Sequence, residues 1–197
     1  MGGASSTFAR VEARISGGVA ELVRCLAALM LTAAIAWAVA VRDVRAQPAV
    51  APPPDVSALA GQHPAEYYRR AAALFQDGRR DDAVFIFYLG QLRYRAHLSA
   101  RRNLKPDGDP ALFTSLSEVV GRRLNEYAFG DIPWLARTID AVLAYDRANP
   151  DAFTSPSEFP QAYAGVRDGL SGVKSQILAE ADSIRAKRRQ NGLENRN

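Results

Sequence analysis

The sequence predicts an all-α fold, a compact bundle of about five helices behind an N-terminal export signal. Three observations predict it. Apolar residues recur at helical spacing through the second half and more of the chain, helix starts and stops are marked by Asp, Pro and Gly, and the segment that holds the apolar run Ala83 to Leu89 continues too far without a turn signal to be a strand. With 197 residues, 48% hydrophobic and 23% charged, the chain has the composition of a globular protein of one or at most two domains.

The first element is the leader. Cys25 to Val41, CLAALMLTAAIAWAVAV, is uninterrupted apolar sequence preceded by Arg10, Arg14 and Arg24, the layout of an export signal. The run sits at the short edge of what spans a bilayer, where about 20 residues are needed. Small residues at Val44 and Ala46 suit a signal peptidase, so residues 1–46 are expected to be a signal peptide cleaved after Ala46. An uncleaved anchor through residues 25–41 is the alternative, because Arg42 and Arg45 crowd the cleavage site. The expected location is periplasmic or secreted, or the inner membrane if the anchor stays.

Cleavage removes the single cysteine, Cys25, so the mature chain must be stabilised by its packed core rather than by disulfides. Removal of residues 1–46 also leaves 20 cations against 18 anions, a net charge of +2. Nucleic acid is therefore not an expected partner.

Residues 47–62, QPAVAPPPDVSALAGQ, carry four prolines and are expected to form an extended linker. The helical domain is expected over residues 63–190, with a polar tail at 191–197. Helix one starts at Pro64, carries Tyr67, Ala71, Leu74 and Phe75 on one face, and stops at Gly78. Helix two follows Arg79-Arg80, with Asp81 as N-cap. Its run AVFIFYL, Ala83 to Leu89, is rich in β-branched and aromatic residues, but the chain continues without a turn signal to Arg102. That length exceeds the usual 3 to 10 residues of a strand and is ordinary for a helix. A helix apolar on all sides over two turns is one surrounded by other helices.

Asp109-Pro110 opens helix three, with Leu112, Leu116, Val119, Val120, Leu124 and Tyr127 as its stripe, a kink expected at Gly121 and an end at Gly130. Helix four starts at Asp131-Ile132-Pro133 and ends before Asn149-Pro150. The last helix repeats Phe159, Tyr163, Val166, Leu170, Val173, Ile177, Ala181 and Ile184 in steps of four and three, a coiled-coil-like seam. Gly165, Gly169 and Gly172 weaken that helix by roughly 1 kcal/mol each against alanine, and are expected to let a neighbouring helix approach closely.

The spacing of Tyr67, Ala71, Leu74, Gly78, Ala83, Phe87 and Gly90 resembles one tetratricopeptide (TPR) unit. The resemblance covers about 34 residues, one repeat's length. It implies close helix contacts at Ala71, Ala83 and Gly90, with Tyr67, Leu74 and Phe87 filling the space between helices. The sequence departs from the pattern at Arg70, where leucine is usual, and at Arg95, where proline is usual. There is no second copy, so the resemblance implies a helical hairpin rather than a solenoid groove.

No signature of catalysis stands out. His63 and His97 are the only histidines, and without cysteine they fall short of the usual three or four zinc ligands. The PDGDP loop lacks the ligands and turn glycine of a calcium loop. Glu118 and Glu126 could pair as in glycosidases, giving a cell-wall-active enzyme as an alternative function, but Arg122 between them makes a surface salt-bridge ladder the simpler reading. The densest polar feature is Arg93, Tyr94, Arg95, His97, Arg101 and Arg102. Arginine and tyrosine are enriched at binding hot spots, so this group is the expected partner surface. The expected function is that of an exported, non-enzymatic protein of the cell envelope that binds another protein as an adaptor, inhibitor or immunity-like factor, without cofactor. A membrane-anchored structural protein is the remaining alternative.

Overall fold

The computed structural model describes residues 49–197. The leader, the apolar run 25–41 and the cleavage site after Ala46 lie outside the described residues. Among the described residues no helix is long and apolar enough to cross a membrane.

The architecture is all-α. Among the described residues seven α-helices follow in order: α1 (Pro64–Gln76), α2 (Arg80–Ala100), α3 (Asp109–Leu116), α4 (Arg122–Ala128), α5 (Ile132–Ala148), α6 (Pro160–Ala179) and α7 (Ala181–Gln190). The count exceeds five because two expected helices are interrupted. Helix three is split by a π-helical segment, Ser117–Gly121. Its cause is local: a Cβ at Gly121 would stand 3.0 Å from Cζ of Phe87, so the extra residue accommodates a ring of α2. The last helix breaks at Glu180, and α7 continues from Ala181.

α2 is the centre of the bundle, and α1, α3, α4, α5 and α6 all pack against it. Every residue from Ala83 to Gly90 is buried, as a helix with no polar face requires. It begins two residues earlier than expected. Arg79 is its N-cap without a side-chain bond, and Asp81 and Asp82 lie in the first turn, where the helix dipole favours negative charge.

α1 and α2 form an antiparallel hairpin closed by a Schellman motif. Gly78 adopts φ 81°, Arg79 N–H donates to the Leu74 carbonyl at 2.9 Å and Gly78 N–H to that of Phe75 at 3.3 Å. Of the residues expected in the core, Ala71, Leu74, Ala83, Phe87 and Gly90 are buried. Gly78 is exposed and serves the turn instead. Gly90 is where the helices meet most closely, since a Cβ there would fall 2.4 Å from Cβ of Tyr67.

The segment before α1 departs from the extended linker expected there. Residues Pro54–Leu59 form a 3-10 turn that buries Val56 and Leu59, Asp55 pairs with Arg70 and Arg79, and the Leu59 carbonyl accepts from Tyr67 Oη. Apolar and ionic contacts thus override the extended tendency of the prolines. The polar tail is docked too: Arg196 N–H donates to the Gly130 carbonyl at 2.7 Å.

Candidate functional site

Three helix ends and one loop bring together residues that are far apart in sequence. His63 caps α1, its Nδ1 accepting from Ala65 N–H at 3.1 Å. Asp109 opens α3. His97 lies in the last turn of α2, and Phe153 and Thr154 come from the loop between α5 and α6. Asp109 receives both imidazoles: His63 Nε2 lies 3.2 Å from Oδ1 and His97 Nε2 lies 2.9 Å from Oδ2. One ligand atom from each of the three residues lies within 4.8 Å of the others. The Phe153 ring covers both histidines, with centroids 4.9 Å and 5.2 Å away.

Proton placement decides what this cluster can do. The Nδ1 of His63 accepts from a backbone N–H, and the Nδ1 of His97 faces Arg101 Nη1 at 2.7 Å. Arginine only donates. Both rings must therefore carry their proton on Nε2 and donate it to Asp109, which leaves neither Nε2 lone pair for a metal. Metal-bound histidine needs the reverse, a donor on the outer nitrogen, so the residues do not fit a metal centre.

Thr154 Oγ1, His97 and Asp109 also stand in the order hydroxyl, imidazole, carboxylate, with Thr154 Oγ1 at 3.1 Å from His97 Nδ1. Acyl transfer needs that order. It also needs a nucleophile a substrate can reach, and Thr154 is fully buried, with Arg101 occupying the lone pair that would act as base. Burial holds the His97 pKa below its ordinary value, the Arg101 charge adding to this against the opposing Asp109 hydrogen bond. Burial alone would raise Asp109, but the His97 hydrogen bond and His63 outweigh it and hold the carboxyl down. The cluster is two imidazoles hydrogen-bonded to one carboxylate, with His97 buried and His63 and Asp109 partly exposed.

A second polar network runs through the core beside it. Arg93 is only 3% exposed. Its Nε donates to Asp146 Oδ1 at 3.2 Å, Nη1 to Tyr67 Oη at 2.5 Å and Nη2 to the Asn149 carbonyl at 2.6 Å, with Asp151 at 3.9 Å. Arg167 closes on the other side of Asp146 at 2.7 Å. Tyr163 Oη donates to Asp151 Oδ2 at 3.0 Å. This network ties α2 to α5, α6 and the loop between them.

The structure therefore divides the expected partner surface. Arg93, Tyr94 and His97 are buried, because the face of α2 that carries them turns inward, and they are unavailable to a partner. Arg95, Arg101 and Arg102 are exposed. Arg101 leans on Phe153 and Phe159, and Arg95 lies over Phe113. Glu118 pairs with Arg122 at 2.5 Å on the surface, as the ladder reading expects, whereas Glu126 joins no ion pair among the described residues.

Arg95 also borders an open groove between α2 and α6, with a volume of about 320 Å³. Leu92 and Leu170, both buried, form its floor. Tyr88 and Gln91 stand on the α2 side, and Gly165, Val166, Gly169 and Val173 on the α6 side. The glycines correct the sequence expectation: a Cβ at Gly165, Gly169 or Gly172 would meet nothing within 4 Å. No neighbouring helix approaches them among the described residues.

Compared with known proteins, the chain matches no family model, no curated protein and no solved structure.

Proposed function

We propose that this chain is a non-catalytic, protein-binding protein of the cell envelope that receives a helical segment of its partner in the groove between α2 and α6. The observation that carries this reading is the open glycine face of α6. Glycine in a helix interior costs stability, and three of them facing open space are explained when a second helix comes close enough to need them. The groove also has the make-up of a binding hot spot: an apolar floor, a tyrosine and an arginine at its edges. Adaptor and inhibitor or immunity roles would both use this groove.

The test is site-specific photo-crosslinking in cells from the envelope-exposed face. A photoreactive residue at Val173 should capture a defined partner, and the purified partner should bind at least about tenfold more weakly, a difference of about 1.4 kcal/mol, when Gly169→Leu fills the groove. Equal binding by wild type and Gly169→Leu would overturn the proposal.

A further inference from the structure

At the other end of α2, away from the groove, the first residue of the helix meets α4 and the docked C-terminal tail around a cavity of about 290 Å³. Four arginines line it: Arg80, Arg123, Arg188 and Arg196. None of the four pairs with a carboxylate among the described residues, although Glu126 and Glu194 also line the cavity. Two of the arginines are engaged in holding the wall. Arg188 donates to Asn195 Oδ1 and to the carbonyls of Glu126 and Glu194, and Arg196 Nη2 donates to the Tyr127 carbonyl at 2.9 Å. The side chains of Arg80 and Arg123 make no hydrogen bond or ion pair among the described residues, leaving two complete guanidinium forks at the lining of the same cavity.

Aromatic rings fix part of this arrangement. Arg196 stacks on Tyr127 with its guanidinium carbon 3.6 Å from the ring centroid. Arg80 lies 5.7 Å from the same ring and 5.5 Å from that of Phe75. Tyr127 is itself held by a 2.8 Å hydrogen bond from its hydroxyl to Asp81. Two cations sharing one ring concentrate positive charge that the wall alone does not neutralise. The ring faces attract guanidinium, so the forks are kept near the cavity rather than dispersed in solvent.

We propose that this cavity is an anion site for a phosphate group, free or as a small phosphomonoester, held by the forks of Arg80 and Arg123. A guanidinium fork matches carboxylate and phosphate oxygens in bidentate fashion. A monocarboxylate satisfies one fork, whereas a tetrahedral dianion presents enough oxygens for both and compensates two charges at once. The volume leaves room for a small group attached to the phosphate. The site is independent of partner binding in the groove, so either can fail without the other.

Isothermal titration of the full chain with inorganic phosphate, at constant ionic strength in chloride, tests it. Saturable binding at one site is expected. Arg80→Gln with Arg123→Gln should weaken it by about tenfold or more, and the two Lys replacements, which keep the charge and lose the fork, should fall between. The exposed positions of both arginines mean that the variants should melt with the wild type in phosphate-free buffer. A titration without saturation, or equal affinity of wild type and the double Gln variant, would refute the site.

Discussion

Replacing Arg93 by methionine keeps most of the side-chain volume and removes the charge at the centre of the buried network. The loss can be worked from the contacts. Asp146 keeps Arg167 at 2.7 Å, and Asp151 keeps the Tyr163 hydroxyl and the N–H groups of Phe153 and Thr154. Neither carboxylate is abandoned entirely, which sets the charge term at the lower end of the roughly 3 to 5 kcal/mol measured when one partner of a buried pair is removed. The Asn149 carbonyl and Tyr67 hydroxyl each lose a charged donor, adding about 1 kcal/mol or so. A total near 4 kcal/mol is a large share of the about 5 to 15 kcal/mol of a typical domain. At about 2 to 4 °C per kcal/mol for a chain of this size, the melting temperature should fall by roughly 8 to 16 °C. Urea unfolding followed by far-UV circular dichroism measures the change directly. A loss below about 1 kcal/mol for the single variant would mean that Arg93 is solvated and does not hold a buried network.

Other perturbations probe separate parts of the fold. His97 has a folded-state pKa below its ordinary value of 6.5, so the unfolded chain binds the extra proton first and stability should be complete above pH 6.5 and decline as the pH falls below it. His97→Gln should flatten that decline in a series of melting curves between pH 7 and 5, and an unchanged slope would remove His97 from the explanation. Gly90→Ala should destabilise by about 1 to 3 kcal/mol, because its Cβ has no room beside Tyr67. Gly169→Ala should do the opposite and stabilise the free protein by up to about 1 kcal/mol, since its Cβ meets open space in a helix; a destabilised Gly169→Ala would show that the face is already covered.

What the sequence disclosed and what it concealed follow the range of the interactions. Caps, glycine stops and the all-apolar run of α2 act over a few residues, so the hairpin, its turn at Gly78 and the central place of α2 were readable. The polar core joins residues such as Arg93 and Asp146 or His97 and Thr154, more than fifty positions apart, and no linear spacing encodes that pairing. Charge suggested that Arg93 and His97 face water. A signal to the contrary was present: Ile86, Gly90, Arg93 and His97 step by four, three and four, the spacing that marks a buried seam, while Arg95 falls off that line and is exposed. His63 and Asp109 were likewise recognisable as helix starts, each before a proline, but their meeting depends on how α1 and α3 dock.

The seam of α6 shows the same logic from the other side. Tyr163, Leu170 and Ile177, seven residues apart, are buried against the bundle, while Val166 and Val173, also seven apart, border the groove, and Val173 is 41% exposed. One half of a coiled-coil seam is thus satisfied by the chain's own core. The other half lies beside glycines that leave the backbone bare. A helix docking only on its own bundle needs the first half alone, and alanine at the glycine positions would serve it better. The pattern is economical for a helix with two neighbours. A partner helix, as proposed, would find apolar area and bare backbone open together on this face, whereas Arg93, Tyr94 and His97, which drew attention in the sequence, are buried.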